Sequence, residues 1–157
     1  MDDRDSLRTL YLMTLVGGLV WLGAIVLAPY ARSRSSPVFP FLYACFSPVC
    51  HQIPARSFRL FGFPLAVCAR CLGIYTGTFG GLVIYPCRRR FERVRLPSLR
   101  LFLTVSAPIV LDTAGNALKL WNTANGPRFI LGFIWGLLLP FYFLTGLGEL
   151  VLRRKKR

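Results

Sequence analysis

The stretch from Leu10 to Tyr30 reads LYLMTLVGGLVWLGAIVLAPY and contains no charged side chain. A helix of about 20 apolar residues is long enough to cross the roughly 30 Å hydrocarbon core of a bilayer. The stretch is longer than the apolar run of about 7–15 residues in a secretory signal, and the acidic leader Met1–Asp5 is not typical of one. Leu10–Tyr30 is therefore predicted to be a retained transmembrane anchor.

The composition of the whole chain agrees with a membrane location. Hydrophobic residues make up 54% of the 157 residues and charged residues 17%, whereas soluble domains average about 25% charged. The formal net charge is +14, but the basic residues cluster beside apolar runs and form no nucleic-acid recognition motif. We therefore expect the partner to be the lipid bilayer and not nucleic acid. No protein partner is indicated.

Three further apolar stretches bring the predicted number of transmembrane helices to four. We predict an all-α membrane protein in which residues 1–157 form a single integral membrane domain. The predicted spans cover residues of about 10–30, 67–86, 101–120 and 129–152, and a cap of about 31–66 lies between the first two. This cap is too long and too aromatic for a structureless loop, so we expect short helices and turns on the outer mouth of the bundle.

Lysines and arginines are divided unevenly between the two sides of these spans. Two precede the first span, six lie in the loop Arg88–Arg100 and five lie at the C-terminus, against seven on the other side. The positive-inside rule then predicts a multi-pass protein of the cell membrane with both termini cytoplasmic. The cap is accordingly predicted to be extracytoplasmic.

Cysteine spacing within and beside the cap predicts a chemical site. The segment Cys45–Gln52 reads CFSPVCHQ, and Cys68–Cys71 reads CARC at the predicted start of the second span. The candidate metal ligands are Cys45, Cys50, His51, Cys68 and Cys71. Such a set can hold a metal, cycle between dithiol and disulfide, or form structural disulfides. The imidazole beside Cys50 favours a metal, with zinc as the expected cofactor, and the other two interpretations stay open.

Asp112 lies inside the predicted third span, toward the cap. An ionisable group costs at least about 2.5–3.5 kcal/mol there, so it normally faces a partner or a cavity. Asn116 and Lys119 share its helix face. An ion pair with Lys119 or Arg128 would give Asp112 a purely structural role. Otherwise the candidate catalytic residues are Asp112, Arg128, Arg70 and Tyr75.

Glycines recur at every fourth position in two of the predicted spans. These are Gly73, Gly77 and Gly81 in the second span and Gly132 and Gly136 in the fourth. Small residues at this spacing let two membrane helices approach closely. We therefore predict that they form a packing interface with no chemistry of its own.

The same residues resemble a family of small prokaryotic integral membrane proteins of unknown function. The similar segments are Cys-His-Gln at Cys50–Gln52 with Arg-Ser-Phe at Arg56–Phe58, and Cys-x-Arg-Cys-x-Gly-Ile-Tyr-x-Gly at Cys68–Gly77. Asp112 and the segment Asn125–Arg128 are also similar. The resemblance implies a membrane location and a shared site.

A looser architectural likeness links the chain to four-helix membrane oxidoreductases that pass electrons from dithiols to quinone. Those enzymes also carry a Cys-x-x-Cys at the outer start of their second span. Their second cysteine pair usually lies in the later outer loop, but the corresponding segment here, Trp121–Pro127, contains no cysteine. This difference weakens the expectation of a quinone-coupled relay.

Overall fold

The computed structural model of the chain is mostly helical. It describes the backbone of residues 3–88 and 98–155 and the side chains of residues 7–86 and 98–147. The described helices are α1 (Asp3–Ser33), α2 (Phe39–Phe46), α3 (Ala69–Arg88), α4 (Leu99–Ala117) and α5 (Asn125–Lys155). Most of the predicted arginine-rich loop, at 89–97, and the end of the basic C-terminal run, at 156–157, lie outside the described residues.

The four long helices coincide with the four predicted spans. Within the described residues, two segments are long and apolar enough to cross a membrane: Leu7–Ser33, with mean hydropathy 2.2, and Asn125–Leu147, with mean hydropathy 1.9. In the most apolar 18-residue window of each segment, the share of residues buried by protein is 6% for the first segment and 28% for the second. Their apolar surfaces thus lack a protein cover, as expected of helices that face lipid. For the shorter helices α3 and α4, membrane crossing stays a prediction.

The cap corrects the expectation of an all-α fold. Besides α2 and a 3-10 turn at Pro54–Arg56, it contains an antiparallel hairpin of β1 (Arg59–Leu60) and β2 (Phe63–Pro64). Phe61 and Gly62 connect the strands with φ of 53° and 83°, the left-handed values that a tight two-residue hairpin turn requires. Phe61 lacks the usual asparagine or aspartate signal for such a turn. Its ring instead lies edge-on to Tyr30 of α1, with centroids 5.5 Å apart.

The cap packs on the end of α1 through apolar and cation–π contacts. The guanidinium of Arg32 lies 4.9 Å from the centre of the Phe63 ring and 5.7 Å from that of Tyr43. Burial raises the pKa of the Tyr43 phenol despite the opposing influence of Arg32, so the hydroxyl remains a donor to the Pro64 carbonyl. The fully buried part of this interface consists of Ile25, Ala28, Phe46, Ala66 and Val67.

Helices α3 and α5 form the closest packing in the molecule. At each of the five predicted interface glycines, an added Cβ would overlap a backbone carbonyl oxygen of the other helix. The facing carbonyls belong to Phe129, Phe133 and Leu137 on α5 and to Arg70 and Ile74 on α3. The predicted small-residue interface is thus confirmed, and it holds the start of α3 against the start of α5.

Replacing Gly77 by alanine is expected to destabilise the protein by about 1–3 kcal/mol, because the new methyl group overlaps the Phe133 carbonyl. Gly17→Ala on α1 is the matched control, since nothing lies within 4 Å of the place that its new methyl group would occupy. The control should be neutral or stabilising by up to about 1 kcal/mol, because alanine is the better helix former. Thermal unfolding in detergent compares the two, and equal stability of both variants would contradict the interface.

Helix α4 packs more lightly than the others and is held partly by polar contacts. The Trp135 indole N–H donates to Ser106 Oγ at 2.8 Å, and the Tyr142 hydroxyl donates to the Ser98 carbonyl at 2.9 Å. Ser98 also caps the helix by accepting from the Leu101 N–H. These contacts hold the start and the middle of α4 beside α5.

Candidate metal centre

Three of the four described cysteines lie together where the cap meets α3. The sulfur atoms of Cys50, Cys68 and Cys71 all lie within 4.8 Å of one another. Cys50 follows α2 in a turn closed by its own N–H to the Phe46 carbonyl at 3.0 Å. Cys68 immediately precedes α3 and Cys71 lies in its first turn. One thiol from the cap and two from a helix start therefore converge.

The local backbone favours deprotonated sulfur at this place. The Cys68 N–H donates to Cys50 Sγ at 3.2 Å. The backbone N–H groups and the dipole at the start of α3 favour negative charge on the sulfur of Cys68, which directly precedes the helix. A metal ion bound by the three sulfurs would hold all of them as thiolates.

Gln52 holds the cap segment in register with the helix that carries the other two cysteines. Its backbone adopts the left-handed conformation, with φ of 48°. Its side-chain amide donates to the carbonyls of Tyr43 at 2.6 Å and Ala66 at 2.9 Å. Gln52 thereby connects α2 to the segment just before Cys68. The resemblance motif contains this residue, but its positioning role was not predicted from the sequence.

The remaining predicted ligands lie outside this group of three sulfurs. Cys45 is exposed on α2 and is not part of the cluster. His51 is also exposed, but it lines the same cavity as the three cysteines. Tyr75, one turn after Cys71, is half-buried against Trp21, with ring centroids 5.6 Å apart.

Asp112 forms a buried polar network with residues from three segments. Its carboxylate accepts from Arg70 in an ion pair, from Thr123 Oγ1, and from Asn116 Nδ2 at 3.0 Å. Only 7% of Asp112 is exposed. The ring of Trp121 packs directly on Gly115 and folds the following loop back over α4, which brings Thr123 to the carboxylate.

Arg70 therefore joins the cysteine site to the buried carboxylate. It lies between Cys68 and Cys71 in sequence, and its guanidinium reaches Asp112 on α4. Among the described side chains, neither Lys119 nor Arg128 forms the ion pair with Asp112 that the sequence suggested as a structural alternative. The spacing of residues along α4 suggested Lys119 as the partner. Arg70 is brought within reach of Asp112 by the packing of both α3 and α4 against α5.

Arg128 is buried at the start of α5, with 4% of its surface exposed. Its guanidinium donates to the side-chain oxygens of Asn116 at 2.6 Å and Asn122 at 3.1 Å. Asn116 also bonds Asp112, so the two predicted residues share one network through an intervening amide. Asn122 and Thr123 were missed from the sequence because polar residues in a short loop carry no distinctive pattern.

A cavity of about 290 Å³ connects the sulfurs to this network. Its lining includes His51, Cys68, Cys71, Arg56, Arg70 and Arg128. Three soft donors beside an open space can hold a metal ion and leave room for a fourth ligand from the protein or from solution. The same three thiols can also exchange a disulfide between two of them.

Apolar helices without protein cover, together with a polar network buried among them, define a helical membrane protein. The chain belongs to the family described as "Predicted membrane protein (DUF2085)", which matches residues 50–142. The matched region contains the three clustered cysteines, Asp112 and Arg128. Membership in a membrane-protein family, expected from the resemblance, is confirmed.

Similar proteins include "Uncharacterized protein MJ1492" of Methanocaldococcus jannaschii. It is 36% identical over 156 residues, which covers 96% of this chain and 100% of that protein. No solved structure matches the chain.

Proposed function

We propose that this protein is a zinc-binding integral membrane protein in which Cys50, Cys68 and Cys71 are the principal ligands. The convergence of these three sulfurs within 4.8 Å carries the proposal. A structural disulfide uses two thiols and leaves the third without a role, whereas tetrahedral zinc uses all three. Zinc with three thiolates carries one net negative charge, and Arg56 and Arg128 line the same cavity and favour it electrostatically.

His51 is the proposed fourth ligand. It follows Cys50 directly and lines the cavity on which the sulfurs open. A site closed by His51 would be structural, and a site with the fourth position open to the cavity would let zinc act as a Lewis acid on a bound group. In the second case Arg70 and Arg128 line the cavity and would bind or orient that group. Asp112 would act through its ion pair with Arg70, whereas Tyr75 does not line the cavity.

The pair Arg70–Asp112 is proposed to position the cysteine-bearing end of α3. Because Arg70 is flanked by two ligands, its ion pair limits the movement of both. This arrangement corresponds to the supporting contacts that orient the ligands in many metal sites.

The membrane arrangement is proposed to follow the basic residues. Four spans with cytoplasmic termini would place the cysteine cap at the outer membrane face. The lengths of α3 and α4, 20 and 19 residues, support this proposal because each corresponds to about 30 Å of helix.

A membrane thiol–disulfide oxidoreductase is the second candidate. The observation in its favour is the Cys68-x-x-Cys71 pair at a helix start, where a thiolate is stabilised and Cys50 could act as the resolving thiol. The two candidates differ in what they predict for the purified protein.

Metal analysis and intact mass of the purified full-length protein test the proposal. We expect about one zinc ion per chain, a native mass that exceeds the denatured mass by this ion, and no disulfide in the denatured protein. His51→Ala should weaken zinc affinity by about 10–100-fold. A folded, metal-free protein would contradict the proposal. Thiols that change state with the redox buffer in a trapping assay would favour the oxidoreductase.

A further inference from the structure

A second, larger cavity of about 770 Å³ adjoins the cavity at the cysteines. The two share Arg56, Asn116 and Arg128 in their linings. The larger one is also lined by Lys119, Asn122 and the start of α5 at Asn125. Its volume falls in the range of about 300–1,000 Å³ that is usual for small-molecule sites.

Three cationic side chains and no acidic side chain line this cavity. The nearest carboxylate, Asp112, is already paired with Arg70. Within the part of the chain that the structure describes, no carboxylate contacts Arg128, although its side chain is almost fully buried. Its hydrogen-bond partners are neutral amides. The neighbouring guanidinium groups of Arg56 and Arg70 repel it, and the more weakly acting Asp112 attracts it.

The side chains of Arg56 and Lys119 form no hydrogen bond with any described residue, so their donors remain available. Lys119 also has a left-handed backbone, with φ of 58°, in a turn closed by the Leu120 N–H to the Gly115 carbonyl at 2.9 Å. Helices usually place glycine at such a position after their last turn. A lysine there carries a backbone penalty that glycine would avoid.

We propose that this cavity binds the phosphate group of an anionic ligand through Arg56, Arg128 and Lys119. Arginine forks match the geometry of phosphate oxygens, and lysine adds a point charge. The amides of Asn122 and Asn125 and the N-terminal end of α5 add neutral donors and a favourable dipole. The three cations carry three positive charges. If the proposed zinc centre contributes one net negative charge, two positive charges remain for the ligand to neutralise.

The proposal does not depend on zinc, because no cysteine lines the larger cavity. The phosphate can belong to a soluble ligand or to the headgroup of an anionic phospholipid, since the chemistry of recognition is the same. The two sources differ in whether binding requires acyl chains.

Binding to the full-length protein in uncharged detergent tests the site with two probes. One probe is inorganic phosphate, titrated by calorimetry at low ionic strength. The other probe is phosphatidylglycerol. The protein is first placed in phosphatidylcholine nanodiscs that contain or lack phosphatidylglycerol and is then transferred to the detergent. Native mass spectrometry measures the phosphatidylglycerol that remains bound. The variants are Arg128→Gln and Arg56→Gln, and Arg34→Gln is the matched control. Arg34 is an exposed cation near the cap whose guanidinium lies over Tyr30, and it does not line the cavity.

We expect saturable binding of at least one probe to the wild-type protein and to Arg34→Gln. Arg56→Gln should weaken it about fivefold, and Arg128→Gln at least about tenfold, because a charge-assisted hydrogen bond is lost in each. Arg56 is exposed, so its replacement should not disturb folding. If the Arg128 variant misfolds, the Arg56→Gln variant still tests the site. Binding of phosphate supports a soluble ligand, and preference for phosphatidylglycerol alone supports a lipid headgroup.

Equal affinity of the wild-type protein and Arg56→Gln for both probes, or no binding of either probe, would overturn the proposal. Cys50→Ser separates this site from the zinc centre. Phosphate binding that survives this substitution supports an independent anion site even if no zinc is found. Loss of phosphate binding in Cys50→Ser would indicate that the anion binds to the metal, and this result would overturn the proposed phosphate site.

Discussion

Cys68→Ser is expected to reduce the zinc content of the purified protein from about one ion per chain to near zero. The substitution removes one of three soft thiolates, so that two sulfurs and one imidazole remain and the fourth position falls to water, which should hold zinc too weakly to survive purification. It also removes the sulfur that stands at the start of α3. Metal analysis by mass spectrometry, with protein concentration from amino-acid analysis, measures the effect.

Cys45→Ser provides the matched control for this result. It makes the same atomic change at an exposed cysteine outside the cluster, so zinc content should remain at the wild-type value. Equal loss of zinc in both variants would show that Cys45 joins the site in solution. Unchanged zinc in Cys68→Ser would refute the three-sulfur centre.

Asp112→Asn is expected to destabilise the protein by about 3 kcal/mol. The change keeps the shape of the side chain but leaves the Arg70 guanidinium without its counter-charge, and removing one partner of a buried pair usually costs about 3–5 kcal/mol. The Arg70 side chain is 20% exposed, which places the effect at the lower end of this range. Thermal or denaturant unfolding in detergent measures it.

The double variant Arg70→Gln with Asp112→Asn distinguishes the ion pair from other effects. Both charges are then absent, and neutral hydrogen-bonding groups remain in their places. We expect it to be more stable than Asp112→Asn alone, because no unpaired guanidinium is left. Additive losses from the two single substitutions would mean that Arg70 and Asp112 do not interact.

The sequence predicted the helices well because their signals are strong and local. Long uncharged runs predicted α1 and α5. Glycines at every fourth position predicted close helix packing, and the structure shows that α3 and α5 are the helices that pack. The hairpin of the cap was missed because the turn at Phe61 lacks the residues that usually mark such a turn, and because the Phe61 ring contacts Tyr30 on another element, which local sequence does not reveal.

The sequence predicted most of the residues that form the site, but only some of the contacts between them. Spacing predicted a cysteine cluster at the start of α3, and the cost of burying a charge predicted a partner for Asp112. The choice of Arg70 as that partner depends on how three helices pack, which a single sequence does not encode locally. Cys50 groups with Cys68 and Cys71, and Cys45 does not. This arrangement likewise depends on the hydrogen bonds that Gln52 donates to the Tyr43 and Ala66 carbonyls.

The interlocked backbones of α3 and α5 have a consequence for how the molecule can move. With carbonyl oxygens seated against glycines along several turns, the two helices cannot slide or rotate past each other without separating. Cys71 and Arg128 therefore belong to a single rigid unit. Any opening of the space between them to a ligand must come from displacement of the lightly packed α4, or of the lid formed by α2 and the hairpin.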